Sequence, residues 1–228
     1  MWKLLLPAMW MVCGCGAAET GPQDKEPAPS FSYPSDGTLR LQHLQCKSTH
    51  NSYHLEPEGN TLPDWAYSHL ELAQQFSEQG VRHVELDIRY DYANEHFAVY
   101  HLKVIDEVTS CETLVDCLAN MKSWSDSHPA HHPLVAQLEI KDAYPGDDLA
   151  EDYFNKLHQE VLAVWPRERL VTPADVRGNA ATVGQAVRAD GWPTLGKLRG
   201  KLLVTIDNRG ELVRAYTHGG NDLKGRLA

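Results

Sequence analysis

The run Val84-Glu85-Leu86-Asp87-Ile88 sets two carboxylates one residue apart inside an aliphatic stretch. On a strand, alternate residues share a face, so Glu85 and Asp87 point together while the three aliphatics point the other way. Two like charges on one face repel unless an arginine, a lysine or a metal ion sits between them. Gln137-Leu138-Glu139-Ile140 holds a third acid among apolar neighbours. A buried glutamate needs a partner, and a shared cation would supply one. Thr49-His50-Asn51-Ser52-Tyr53-His54 adds an imidazole suited to proton transfer or phosphate binding near neutral pH. It also adds an asparagine, whose neutral oxygen can join a calcium shell. Val99-Tyr100-His101 brings a second candidate imidazole. Taken singly, each has a bland reading: a solvated strand end, a polar loop, a structural histidine.

The elements that must position these groups alternate. Strands are predicted at Leu41–Lys47, Val81–Arg89, Phe97–Tyr100, Leu134–Lys141, Arg169–Thr172 and Lys201–Ile206. Helices are predicted from Pro63 to the stop at Gly80, and from a capping box at Thr109-Ser110-Cys111-Glu112 to Ser125. Two more fall at Asp148–Val164 and Thr182–Ala189. Strands alternating with helices imply a parallel sheet, an α/β fold of the (β/α)8 TIM-barrel type. A full barrel takes about 250 residues, so residues 39–228 are expected to form an incomplete one, with about six of its eight strands. Trp65, Trp124 and Trp165 are expected in the core.

In this arrangement His50, Asn51, Glu85, Asp87, His101 and Glu139 lie at the same ends of four successive strands. The order His50-Asn51-Ser52-Tyr53, Gly80-Val81-Arg82-His83-Val84-Glu85-Leu86-Asp87, Val99-Tyr100-His101 and Pro133 to Glu139 resembles the catalytic half of the calcium-dependent phosphatidylinositol-specific phospholipases C, the bacterial and fungal branch above all. Leu198-Arg199-Gly200-Lys201-Leu202-Leu203-Val204 is similar to the strand that opens their second half. The resemblance implies a Ca2+ ion held by Asn51, Glu85, Asp87 and Glu139. It implies His50 on the phosphoryl oxygens, His101 as general acid, and Glu85 or Glu139 as base for the inositol 2-hydroxyl. The implied substrate is a phospholipid at a membrane surface, and the product a cyclic inositol phosphate. Thr205-Ile206-Asp207 stands where signalling members carry lysines, which points to unphosphorylated phosphatidylinositol. Two other readings share these residues: a glycerophosphodiester or sphingomyelinase D-type phosphodiesterase, and a non-catalytic inositol-lipid-binding lipoprotein.

A formal charge of −10 across 228 residues excludes a phosphate-coating nucleic-acid binder and a polybasic membrane anchor. No protein partner is evident, and a monomer is expected. Residues 1–18 read as a signal peptide. Its end, Val12-Cys13-Gly14-Cys15, is similar to a lipobox, so export is expected, with a lipid anchor on Cys15 or plain secretion. Residues 19–38 read as a Pro-rich linker. Cys111 and Cys117 can bridge only if Cys111 precedes the helix proper, and Cys46 is expected as a buried free thiol. The cluster His128-Pro129-Ala130-His131-His132-Pro133 reads as a solvated turn rather than a transition-metal site.

Overall fold

A computed structural model describes residues 33–60, 62–220 and 222–228. The expected signal segment with Cys13 and Cys15, and most of the linker, lie outside the described residues. The chain divides into Met1–Tyr33 and Pro34–Ala228, and the fold is that of the second unit. Residues 34–38, assigned to the linker, belong to it: the Asp36 carboxylate accepts two hydrogen bonds from Arg199, at 2.6 and 2.9 Å.

Among the described residues, five strands form one sheet: β1 (Lys47–Ser48), β2 (Val81–Asp91), β3 (His96–Val99), β4 (Leu134–Ile140) and β5 (Leu202–Ile206). The order β1-β2-β4-β5 is parallel throughout. Among the described residues, seven α-helices accompany it: α1 (Leu72–Glu78), α2 (Leu114–Ser127), α3 (Asp147–Val164), α4 (Pro173–Arg177), α5 (Val183–Asp190), α6 (Leu195–Leu198) and α7 (Glu211–Tyr216). This is the TIM-type α/β architecture, incomplete among the described residues. Alternation built it: Val84, Leu86 and Ile88 of β2 and Leu134, Ala136, Leu138 and Ile140 of β4 are buried in one hydrophobic core with α2 and α3 residues such as Leu118 and Phe154. The intervening residues carry the polar face.

Several expected boundaries moved, each for a physical reason. Only Lys47–Ser48 of the first expected strand pairs with β2; Leu41–His43 is a 3-10 turn whose Leu41 N–H donates to the Pro193 carbonyl. The helix expected from Pro63 is a 3-10 turn at Pro63–Trp65, followed by irregular chain up to α1. Trp65 is accordingly half-buried rather than core. The strand expected at Arg169–Thr172 shrinks to one bridge, Leu170 to Leu202, leaving five strands where six were expected.

The third strand is antiparallel to β2. Four residues, Tyr92 to Glu95, join the two, and so short a connection makes a hairpin, whereas a parallel crossover needs a dozen or more. The Asp91 carboxylate closes the turn by accepting from the backbone N–H groups of Ala93 and Asn94.

The capping box of α2 sits four residues beyond the expected one, between Thr113 and Asp116. Cys111 therefore precedes the helix, and the Cys111–Cys117 disulfide forms across a Cα separation of 5.1 Å. Cys46 is exposed, not buried, because the segment around it lies outside the strand that was to cover it. His131 is buried, not solvated: its Nε2 lies 2.6 Å from Ser125 Oγ, while His128 stacks on Trp124.

Candidate active site

The C-terminal ends of the parallel strands form a rim, and three carboxylates meet there. Asp87 pairs with Glu139 directly across β2 and β4, and Glu85 lies one alternate position lower on β2. One oxygen from each of Glu85, Asp87 and Glu139 can be chosen so that all lie within 4.8 Å of one another. Glu85 and Asp87 are buried, and Glu139 is half-buried. Glu85 Oε1 and both Asp87 oxygens are buried without a hydrogen-bond partner. Buried carboxylate oxygens left unmade are costly, and an all-oxygen set of this kind suits a hard cation such as Ca2+. Burial, and then Asp87 beside it, pushes the Glu85 carboxyl up to about 8.

Lys141 supplies a cation of the chain's own. Its Nζ lies 2.6 Å from Glu139 Oε1 and 3.3 Å from Asp87 Oδ1. Burial opposes its charge, but Glu139 and Asp87 outweigh that and hold its pKa above the ordinary lysine value. The sequence pattern offered a signal for it, since Glu139 and Lys141 are alternate residues at the end of one strand and face the same way.

The loop after β1 wraps the lower carboxylate. Asn51 adopts φ 45°, a left-handed conformation that asparagine tolerates better than most residues. Its backbone N–H donates to Glu85 Oε2 at 2.6 Å, and Ser52 Oγ accepts from the Glu85 N–H at 2.9 Å. The Asn51 side-chain oxygen accepts from the Tyr53 hydroxyl at 3.3 Å. His50 is exposed, and its carbonyl lies 3.0 Å from His69 Nε2.

The end of β3 does not point with the C-terminal ends of the parallel strands, the placement expected for His101. The reason is that β3 runs back down β2 from His96, opposite Asp91, to Val99, opposite Ile88, and His101 follows two residues on. Arg89 anchors its main chain, donating to the carbonyls of Tyr100 at 2.6 Å and His101 at 2.7 Å. The Trp65 ring packs edge-on against the imidazole at 5.8 Å, so the tryptophan expected in the core belongs to this site. His101 Nδ1 lies 2.9 Å from Asp106 Oδ2, and His54 Nε2 lies 3.0 and 3.1 Å from the two Asp106 oxygens. Neither Asp106 nor His54 was a candidate, and nothing in the spacing of Lys103-Val104-Ile105-Asp106 marks a residue that folds back on its own loop.

Fold and rim together define an α/β barrel-type protein with an acidic centre suited to a divalent cation. The chain belongs to the calcium-dependent phosphoinositide phospholipase C family, a family of phosphodiesterase enzymes: the family described as "Phosphoinositide phospholipase C, Ca2+-dependent" matches residues 91–228. That stretch holds His101, Asp106, Glu139 and Lys141, with Glu85 and Asp87 just before it. Among solved structures, the chain is similar to a calcium-dependent phosphoinositol-specific phospholipase C from a Gram-negative bacterium, Pseudomonas sp. One crystal form superposes with TM-score 0.58 at 23% identity, covering 86% of this chain and 68% of that one. The myoinositol-complex structure of that protein gives TM-score 0.56 at 22% identity, covering 79% and 62%. A Ca2+-dependent phosphatidylinositol-specific phospholipase C from Streptomyces antibioticus gives TM-score 0.55 at 24% identity, covering 70% and 50%. The chain thus spans about half to two thirds of the length of these structures. No curated protein sequence is similar enough to the chain to count as a match.

Proposed function

We propose that this protein is a calcium-dependent phosphodiesterase that cleaves phosphatidylinositol at a lipid surface. The observation that carries this reading is the convergence of Glu85, Asp87 and Glu139, with Glu85 Oε1 and Asp87 Oδ2 buried and without a hydrogen-bond partner.

Glu85, Asp87 and Glu139, with Asn51, would hold the ion. Bound there, Ca2+ would lower the pKa of the inositol 2-hydroxyl and neutralise phosphate charge. Glu85, ionised once a cation is held beside it, is the buried carboxylate placed to accept a proton. It takes the 2-hydroxyl proton as that oxygen bonds to phosphorus. The bond from phosphorus to the glycerol oxygen breaks, and His101 returns a proton to the departing diacylglycerol. His50 supports the charge on the phosphoryl oxygens. Attacker and phosphate belong to one molecule, so proximity supplies much of the rate and a cyclic inositol phosphate leaves first.

The loop joining His101 to Asp106 supports a lipid-surface substrate. Val104 is 86% exposed and Ile105 61% exposed at its tip, unusual for branched aliphatics and placed beside the candidate acid. The Cys111–Cys117 disulfide supports an exported location, where such bonds persist. Lipid anchoring through Cys15 or secretion, and a monomeric state, complete the proposal.

The test is release of inositol phosphate from phosphatidylinositol vesicles with calcium and with chelator, in the wild type and in His50→Ala. Turnover that survives both chelation and the substitution would end this reading. Cleavage of lysophosphatidylcholine in its place would move the protein to another phosphodiesterase class.

A further inference from the structure

Asp106 is 1% exposed and sits at the base of a narrow loop five residues beyond His101. Reciprocal backbone hydrogen bonds close that loop, from the Leu102 N–H to the Asp106 carbonyl at 2.9 Å and from the Asp106 N–H to the Leu102 carbonyl at 2.8 Å. Between them Val104 takes φ 71°, a conformation that β-branched residues adopt only under constraint from their surroundings. The carboxylate is therefore fixed through its own backbone.

It is also held from the far side. His54, fully buried, faces both Asp106 oxygens through Nε2, and its Nδ1 lies 3.0 Å from the Tyr67 carbonyl. The Tyr67 ring lies against the same imidazole at 4.3 Å. His54 has no freedom left with which to serve a substrate. Its part is to clamp Asp106.

The remaining contact of Asp106 is with His101 Nδ1 at 2.9 Å. A carboxylate only accepts, so the ring nitrogen facing it carries the hydrogen. Which nitrogen of a histidine is free for chemistry is set by the hydrogen bond that the other one makes. Arg89 fixes the backbone of the residue, and Asp106 fixes the ring.

We propose that Asp106 is the positioning residue of His101: buried and clamped by His54, it holds the imidazole in the Nδ1–H tautomer and leaves Nε2 as the nitrogen that exchanges protons with substrate. The kinetic consequence rests on His101 being the acid of the proposed reaction, whereas the tautomer does not.

The experiment is side-chain 15N NMR of the full chain at alkaline pH, where imidazoles are neutral, with the His101 signal assigned by its loss in His101→Ala. The wild type is expected to show Nδ1 protonated and Nε2 bare. In Asp106→Ala, checked for folding by circular dichroism, the ring is expected to shift to the Nε2–H form that unrestrained imidazoles favour. On phosphatidylinositol with calcium, Asp106→Ala is expected to lose about 10- to 100-fold in kcat, with KM little changed. A wild-type ring protonated at Nε2 overturns the proposal, and that measurement stands alone should the variant not fold. A folded variant that keeps the Nδ1–H tautomer overturns it as well. A tautomer shift in a protein that turns over no phosphatidylinositol upholds the positioning role and defeats the functional reading. Calcium-dependent turnover with an unshifted tautomer does the reverse.

Discussion

Asp87 and Glu139 stand opposite one another on neighbouring parallel strands, two acids at one level, with the Lys141 ammonium in contact with both. Like charges directly opposite across a strand pair destabilise a sheet. Without a metal, Lys141 is the charge that offsets them, so it occupies the electrostatic place that a divalent ion would take.

Lys141→Met is therefore expected to tighten calcium binding by roughly tenfold, a change on the order of 1 kcal/mol for a partly exposed ion pair. Isothermal titration calorimetry reads it directly. In chelator the same variant is expected to melt earlier than the wild type, because two facing carboxylates lose their counter-charge. Unchanged or weaker calcium binding would contradict the competition.

Asp87→Asn separates stability from ion binding in the opposite sense. Asp87 is buried beside Glu85 and opposite Glu139, with Lys141 at 3.3 Å as its counter-charge, and an amide of the same shape removes one of three crowded negative charges. In chelator the variant is expected to gain about 1–3 kcal/mol, measured by denaturant unfolding. Its stabilisation by calcium is expected to vanish. A variant less stable than the wild type in chelator would show that the ion pair with Lys141 outweighs the crowding of the three acids.

The pH dependence of the metal-free protein follows from Glu85. Its carboxyl is raised to about 8, chiefly by burial and next by Asp87, from an ordinary value of 4.5. Between those values the native chain holds a proton that the unfolded chain releases. Stability in chelator is therefore expected to fall as pH rises from about 5 to 8, by at most about 1.4 kcal/mol per unit. Calcium must displace that proton at low pH but not at high pH, so the rise in Tm on adding calcium grows with pH. Thermal unfolding at several pH values, with and without calcium, checks both trends; a flat profile in chelator would refute them.

Asp207 lies just beyond β5, exposed, with its Oδ2 accepting from the Gln137 amide at 2.7 Å. A carboxylate at this rim repels a headgroup that carries extra phosphates. Turnover of the unphosphorylated lipid is expected to exceed that of the bisphosphate lipid, and Asp207→Lys to narrow the gap. Equal turnover of both lipids by the wild type would remove the argument.

What the chain revealed before folding was whatever follows from a local period. The two-residue alternation of β2 and β4 is written in Val84 to Ile88 and Leu134 to Ile140, and it delivered Glu85, Asp87 and Glu139 to one face. The length of α3 was legible for the same reason. Features set by neighbours distant in sequence were not. The fate of the Leu41 segment was decided by Pro193, and that of Trp65 by His101. His54 read as one more polar loop residue, since its role depends on Asp106, 52 positions away. The hairpin direction of β3 was legible too, since the expected strands Val81–Arg89 and Phe97–Tyr100 leave only seven residues between them, too few for a parallel crossover.

The interleaving of β2 constrains how its gene can drift. Aliphatic and acidic residues alternate through its centre, so losing or gaining a single residue there would exchange the two faces. Carboxylates would then be driven among the helices and aliphatics presented at the rim, ruining core and centre in one event. Indels in this strand are survivable only in pairs, and even parity is what a comparison of natural variants would be expected to show.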